Sequence, residues 1–119
     1  MASRFTELII DAADPQRLAE FWVAVLGWRI TEADAEGVEI AGPPGSGPTL
    51  VFVPVAEPKT IKNRVHIDVN PSDREQAEEL ARLLALGARR VDIGQGEQSW
   101  IVLADPEDNE FCLLRPRVD

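Results

Sequence analysis

The feature that most constrains the fold of this chain is an internal repeat. Residues 7–27 and 66–87 share one order of elements, which is an apolar strand, a polar turn, an amphipathic helix and a glycine that ends the helix. With an offset of 59 residues, the aligned pairs are Leu8 with Ile67, Ile10 with Val69 and Phe21 with Leu80. Since 119 residues is the size of one domain, the repeat predicts a single domain, 1–119, built from two modules at about 4–56 and 62–117.

The repeat also suggests where a functional site lies. The same offset aligns Glu7 with His66, the only histidine in the chain. Side chains that can bind a metal at equivalent positions of two modules predict a site on the pseudo-twofold axis between them.

Composition argues against several classes of protein. Acidic residues outnumber basic ones by 21 to 12, and the net charge of −9 opposes attraction to nucleic acid or to anionic lipid. One cysteine cannot form an internal disulfide, and no apolar run approaches the roughly 18 residues of a membrane span. The first residues lack the apolar stretch of a signal peptide. We therefore expect a cytoplasmic enzyme or binding protein.

In the first module, residues 5–11 are predicted to form a strand, and Asp14 and Pro15 are predicted to start a helix. Gly27 is predicted to end it. The apolar stripe of this helix follows spacings of three and four and consists of Leu18, Phe21, Trp22, Val25 and Leu26. Further strands are predicted at 28–33, 37–41 and 49–55.

The second module follows the same plan. Residues 64–69 are predicted to form a strand, and Ser72 and Glu75 have the spacing of a capping box. The predicted stripe of the second helix is Ala77, Leu80, Ala81 and Leu84. Further strands are predicted at 89–93, 99–104 and 110–115. The chain is therefore predicted to be an α+β fold of two tandem βαβββ modules.

Strand alternation predicts which side chains share a face. If Val65, Ile67 and Val69 lie under the helix, then His66 and Asp68 point the other way. Glu7 and Ile9 are the matching residues of the first strand, and Glu110 and Cys112 share one face of the last strand. If the two sheets join into one curved mixed sheet with the helices outside, Glu7, His66 and Cys112 converge on its concave side.

The chain resembles the vicinal oxygen chelate superfamily, which includes glyoxalase I, bleomycin-resistance proteins and extradiol dioxygenases. The resemblance is carried by the paired modules and by the segments 10–28, 62–68 and 105–112, and it is closest to the small glyoxalase-like bacterial branch. It implies the fold strongly. It implies an activity less strongly, because one fold hosts many chemistries.

The resemblance also implies metal ligands. In metal-using members each module offers one ligand from its first strand and one from its last. In this sequence, three of the four ligand positions correspond to Glu7, His66 and Cys112. Cys112 stands where other members usually have Glu. The fourth position lies within the apolar segment 50–53. Zinc, nickel, iron or manganese are the implied ions. The alternative interpretation is that His66 is hydrogen-bonded beside Asp68 and Cys112 is a small buried apolar residue.

Three functions follow. The leading prediction is a small-molecule binding protein of the bleomycin-resistance type, with an incomplete metal site. The second is a metal-dependent lyase, isomerase or dioxygenase acting on a vicinal oxygen substrate, with Glu110 as the base. The third is a structural or regulatory dimer without ligand; a homodimer is implied by the resemblance in each case. The predicted ligand-contacting residues are Ile9, Phe52, Asp68 and Trp100.

Overall fold

The computed structural model describes residues 2–118, which fall into two compact units, unit 1 up to Pro58 and unit 2 from Lys59. Each unit contains one helix and one four-stranded mixed sheet, so the predicted α+β fold of two βαβββ modules is confirmed. No helix within residues 2–118 has the length and apolar character needed to cross a membrane.

Unit 1 has the order β1–α1–β2–β3–β4 along the chain. Its sheet has the spatial order β1-β4-β3-β2, with β1 parallel to β4 and the other pairs antiparallel. The elements are β1 Glu7–Ala12, α1 Pro15–Leu26, β2 Arg29–Asp34, β3 Gly37–Ala41 and β4 Thr49–Pro54.

Helix α1 begins and ends as its sequence predicts. The Asp14 carboxylate accepts a hydrogen bond from the Arg17 backbone N–H at 3.1 Å, and Pro15 occupies the first turn, where no intrahelical N–H is needed. Gly27 ends the helix in the left-handed conformation, with φ 68°. The buried face of the helix comprises Leu18, Ala19, Phe21, Trp22 and Val25.

The unit 1 sheet has one buried and one exposed face. Phe52 and Ile40 are fully buried on the face against α1, whereas Glu7 and Ile9 of β1 lie on the opposite, exposed face. The side chain of Phe52 is fully buried, and its contact with a ligand stays a prediction. Phe52 pairs with Ile10 and Val38, and strand alternation turns all three toward the helix.

Unit 2 repeats the plan with shorter strands. Its sheet has the order β5-β8-β7-β6, with β5 parallel to β8. The elements are β5 Ile67–Val69, α2 Gln76–Leu86, β6 Arg89–Arg90, β7 Ile101–Ala104 and β8 Glu110–Leu113. The strand predicted over 64–69 forms only from Ile67, so Val65 is exposed (73 %) and does not lie under the helix.

Helix α2 departs from its sequence pattern in two ways. It begins at Gln76 after Glu75, without a side-chain cap, so the predicted capping box of Ser72 and Glu75 does not form. Its buried positions are Glu79 and Leu83 rather than the predicted stripe, in which Leu84 is exposed. Glu79 can be buried because both its carboxylate oxygens accept hydrogen bonds from Arg82, at 2.7 and 2.8 Å.

A tight turn links β7 to β8 and sets the register of the last strand. The Asp105 carboxylate is buried and accepts hydrogen bonds from the backbone N–H groups of Glu107 and Asn109, at 2.9 and 3.0 Å. Asp108 has φ 68° and is the one residue other than glycine with a positive φ among residues 2–118. This conformation is strained for residues that carry a Cβ atom.

Replacing Asp108 with glycine is expected to stabilise the protein by roughly 0.5–1 kcal/mol, since glycine adopts a positive φ without steric cost. Asp108 also contacts Arg89, but an exposed ion pair contributes little. Asp108→Asn is the control, because it removes the charge and keeps a residue that tolerates this conformation. Urea unfolding checks both variants. A lower midpoint for Asp108→Gly than for the wild type would contradict the prediction.

Candidate metal centre

Three side chains of unit 2 that can bind a metal lie together. One atom each from His66, Asp68 and Cys112 falls within 4.8 Å of the others, and no other group of three such residues is this close among residues 2–118. His66 Nε2 and Asp68 Oδ1 are 3.2 Å apart. The side chains of His66 and Asp68 are about half exposed (47 % and 48 %), whereas Cys112 is buried.

Strand register explains this cluster. β5 and β8 are parallel neighbours, and Asp68 pairs directly with Cys112. His66 precedes β5 by one residue and lies two residues before Asp68, so the period of two directs both side chains to the same side. The prediction that His66 and Asp68 share a face is consistent with the 3.2 Å between His66 Nε2 and Asp68 Oδ1.

The environment of Cys112 holds its thiol in the neutral form. Burial raises the pKa of Cys112, and the negative charge of Asp68 together with a hydrogen bond from the thiol to Asp68 raises it further. Lys62 acts in the opposite direction, and its effect is the smallest. Cys112 is therefore a poor free nucleophile, because the thiolate is the reactive form.

The cluster fits a divalent metal ion. Donors at 2.0–2.3 Å around a tetrahedral zinc ion lie about 3.3–3.8 Å apart, so a spread of up to 4.8 Å requires a shift of about 1 Å. His66 and Asp68 can supply that shift because they are half exposed. Imidazole nitrogen, carboxylate oxygen and thiolate sulfur are all zinc ligands.

The carboxylate of Glu110, the predicted base, is bound by two residues near the start of unit 2. It contacts the Lys59 ammonium at 3.1 Å and accepts a hydrogen bond from the Asn63 backbone N–H at 3.2 Å. Burial alone would raise the pKa of Glu110, but hydrogen bonds from its own backbone, from Lys59 and from Asn63 lower it below its ordinary value of 4.5. Its role as a base stays a prediction, and it would require release from these partners.

The Glu110 contacts predict a specific acid sensitivity. A carboxylate whose pKa is lower in the folded state stabilises the fold above its unfolded pKa, and this contribution disappears as pH falls through the folded pKa. Glu110→Gln is therefore expected to reduce the free energy of unfolding by about 1–3 kcal/mol at pH 7. The difference from wild type should shrink as pH is lowered below 4.5.

Urea unfolding between pH 7 and 3 measures this difference. Glu57→Gln is the matched control, because Glu57 is an exposed carboxylate, and little change is expected at any pH. A difference between wild type and Glu110→Gln that grows on acidification would contradict the assignment.

Residues 2–58, the described part of unit 1, do not reproduce the cluster. The parallel pair of unit 1 aligns Ile9 with Val51 and Glu7 with Thr49, where unit 2 has Asp68 with Cys112. Glu7 instead lines a depression of about 270 Å³ on the exposed side of the unit 1 sheet. Its other carboxylates belong to Glu32, Asp34, Glu36 and Glu39. Glu7 as a metal ligand stays a prediction.

Two further predicted ligand contacts have accessible side chains. Ile9 is 49 % exposed in unit 1, and Trp100 is 38 % exposed just before β7 in unit 2. Both stay predictions. The sequence predicts Asp68 as a ligand-contacting residue, whereas the structure groups it with two side chains that could hold a metal ion. The sequence signal for this grouping is the spacing His66-x-Asp68, because residues two apart in a strand share a face. The neighbouring strand β8 carries Cys112.

Comparisons with known proteins agree with the fold. A model of the glyoxalase-like domain family matches residues 7–114. No curated protein matches the sequence. A glyoxalase/bleomycin resistance protein/dioxygenase family enzyme from Burkholderia phytofirmans PsJN is similar in structure, with a TM-score of 0.71, 15 % identity, and coverage of 93 % of this chain and 97 % of that one.

Two further solved structures are similar. A variant of the fosfomycin resistance protein FosX from Listeria monocytogenes, complexed with Mn(II) and 1S,2S-dihydroxypropylphosphonic acid, has a TM-score of 0.71, 17 % identity and coverage of 96 % and 90 %. A glyoxalase/bleomycin resistance protein from Albidiferax ferrireducens T118 has a TM-score of 0.61, 20 % identity and coverage of 94 % and 98 %. With its family model spanning residues 7–114, the chain belongs to the glyoxalase-like domain family.

Proposed function

We propose that this protein is a small-molecule binding protein that holds an oxygen-bearing ligand through a divalent metal ion at His66, Asp68 and Cys112. The observation that carries the proposal is the approach of three different donor atoms to within 4.8 Å. Cys112 is buried, whereas His66 and Asp68 are half exposed. The centre would therefore be anchored on the sheet and open toward solvent, where a ligand can enter.

Each residue has a distinct task in this proposal. Cys112 fixes the ion to β8, and His66 and Asp68 hold it from the solvent side. The ion, when bound, supplies a Lewis acid that can coordinate two oxygens of one ligand. Trp100 offers a partly exposed indole of unit 2 for stacking on a flat ligand. The FosX complex with Mn(II) and a dihydroxy phosphonic acid supports testing vicinal diols and phosphonates first.

A thermal-shift screen tests the proposal. The wild type and His66→Ala are melted with vicinal diols, 2-hydroxy acids, catechols and phosphonates, each with and without zinc or manganese. A ligand that binds only the native state raises stability with concentration. We expect at least one class to raise the melting temperature of the wild type only when metal is present, and to leave His66→Ala unchanged. If a ligand raises the melting temperature of the wild type equally with and without metal, the proposal that binding depends on metal is contradicted.

A metal-dependent lyase, isomerase or dioxygenase is the second candidate. Three protein ligands with open positions are typical of catalytic rather than structural zinc sites, which favours this candidate. Glu110 is a poor base while Lys59 and Asn63 hold it. Substrate turnover that requires metal, and that is lost in Glu110→Gln, would favour the enzyme over the binding protein.

We also propose that the protein is a homodimer, as the family resemblance implies. Light scattering coupled to size-exclusion chromatography measures the mass in solution against the 13.1 kDa of one chain. A mass of one chain at micromolar concentration would contradict this proposal.

A further inference from the structure

The segment that leads into β5, residues 59–65, is held to unit 2 by few contacts. It contains no helix or strand, and within residues 2–118 it makes no hydrogen bond between backbone groups. Lys59 and Asn63 are partly buried, and the other five residues of the segment are exposed. We call this segment the strap. A segment with so few backbone contacts opens at a lower free energy than the core around it.

The first residue of β8, Glu110, anchors the strap. Its carboxylate contacts the Lys59 ammonium at 3.1 Å and accepts a hydrogen bond from the Asn63 backbone N–H at 3.2 Å. The Asn63 side chain also donates to Asn109 Oδ1 at 3.4 Å. The Glu110 and Lys59 side chains are only 12 % and 20 % exposed, so this charge-assisted contact is stronger than an ion pair on the open surface. Both polar anchors of the strap therefore converge at the start of β8.

The strap ends directly before a residue that lies beside a buried thiol. His66 follows the strap, and a nitrogen of its imidazole is within 4.8 Å of Cys112 Sγ. Cys112 has a strand on each side, with Asp68 of β5 and Val102 of β7 as its register partners. These strands block approach to the sulfur along the sheet, which leaves the face that carries His66. Movement of the strap would draw His66 away from this face and expose the sulfur.

We propose that the strap opens as a unit while the rest of the protein stays folded, and that the contacts of Glu110 with Lys59 and Asn63 control how often this opening exposes the Cys112 thiol. The inference goes beyond the proposed function and does not depend on it, because the strap would open in the metal-free protein as well. Glu110 would then be a positioning residue, which acts on the face of Cys112 through the backbone that leads to His66.

Chemical labelling of Cys112 measures the opening, because this residue is the only cysteine in the chain. The metal-free full-length protein is mixed with 4,4′-dithiodipyridine, an uncharged disulfide. Attack by the Cys112 thiolate forms a mixed disulfide and releases one absorbing thiopyridone. Rates are measured in urea below the unfolding transition. Local opening exposes little surface and depends little on urea, whereas global unfolding depends on it steeply. We expect a rate in wild type that is independent of urea at low concentrations.

Lys59→Met is the decisive variant. It removes one anchor of the strap, while Glu110 keeps its hydrogen bond from Asn63. The urea-independent labelling rate should rise at least about tenfold, because a hydrogen bond between charged groups contributes enough free energy to change an equilibrium by that factor. Lys59→Arg keeps the cation and should restore most of the protection. Circular dichroism in each urea solution verifies that the labelled protein is folded.

Arg64→Met is the matched control, since Arg64 is an exposed cation of the same strap. Both Met substitutions remove one positive charge and introduce the same side chain. The charges that shift the pKa of the Cys112 thiol belong to Asp68 and Lys62, which both variants retain. A change in labelling rate therefore reports access to the sulfur rather than the fraction of thiolate. Arg64→Met should be labelled at the wild-type rate.

Three results would overturn the inference. A wild-type rate that rises steeply from the lowest urea concentration would mean that Cys112 is reached only through global unfolding. Equal urea-independent rates in wild type and Lys59→Met would reject the contact between Lys59 and Glu110 as the control of opening. An increase in Arg64→Met as large as that in Lys59→Met would assign the effect to charge instead of to the strap.

Discussion

Replacing Phe52 with alanine is expected to lower the free energy of unfolding by about 3–5 kcal/mol, the range for truncating a buried aromatic residue. Phe52 is fully buried between α1 and the unit 1 sheet. Its removal leaves a cavity whose walls, which include Ile10 and Val38 of the adjoining strands, are fixed by backbone pairing. Urea unfolding followed by circular dichroism measures the change.

Ile9→Ala is the matched control for this substitution. Ile9 lies one residue from the register partner of Phe52 and on the opposite, exposed face, so we expect a loss of about 1 kcal/mol or less. If Phe52→Ala does not fold, Phe52→Leu should fold and lose a smaller amount. Equal small effects of Phe52→Ala and Ile9→Ala would contradict the placement of Phe52 in the core.

The second large effect is expected from zinc itself. An ion that binds only the native state, present at 100 times its dissociation constant, stabilises the protein by about 2.7 kcal/mol. We expect zinc to raise the unfolding free energy of the wild type by this amount at saturation. His66→Ala should gain almost nothing, because only Asp68 and Cys112 would remain.

Unfolding in urea with zinc buffered at several concentrations measures this stabilisation. Arg64→Ala is the control, since Arg64 is an exposed neighbour of His66 with no metal-binding role, and it should keep the full zinc effect. Stabilisation that is the same in His66→Ala as in wild type would place the zinc elsewhere on the protein.

Local sequence patterns predicted most of unit 1. Asp14, Pro15 and Gly27 bound α1 as predicted because capping depends on a few residues that are adjacent in sequence. The same reasoning was wrong for α2. Its buried position Glu79 depends on Arg82, and a hydrophobicity pattern does not reveal that an ion pair can occupy a buried face.

The sequence predicted the individual residues of the candidate site, but it did not predict that His66, Asp68 and Cys112 form one cluster. Alternation placed His66 and Asp68 on one face, yet it could not give the register of β5 against β8, which makes Asp68 and Cys112 partners. Register arises from pairing between strands that are more than 40 residues apart in sequence, and local patterns do not contain it.

Metal analysis of protein purified without an affinity tag is the most direct test of the central claim. The protein is saturated with zinc, dialysed against metal-free buffer and measured for bound zinc by elemental analysis, together with His66→Ala and Asp68→Asn. A metal centre at His66, Asp68 and Cys112 predicts about one zinc ion per wild-type chain and much less in both variants. Wild-type protein that retains no zinc, or variants that retain as much as wild type, would contradict it.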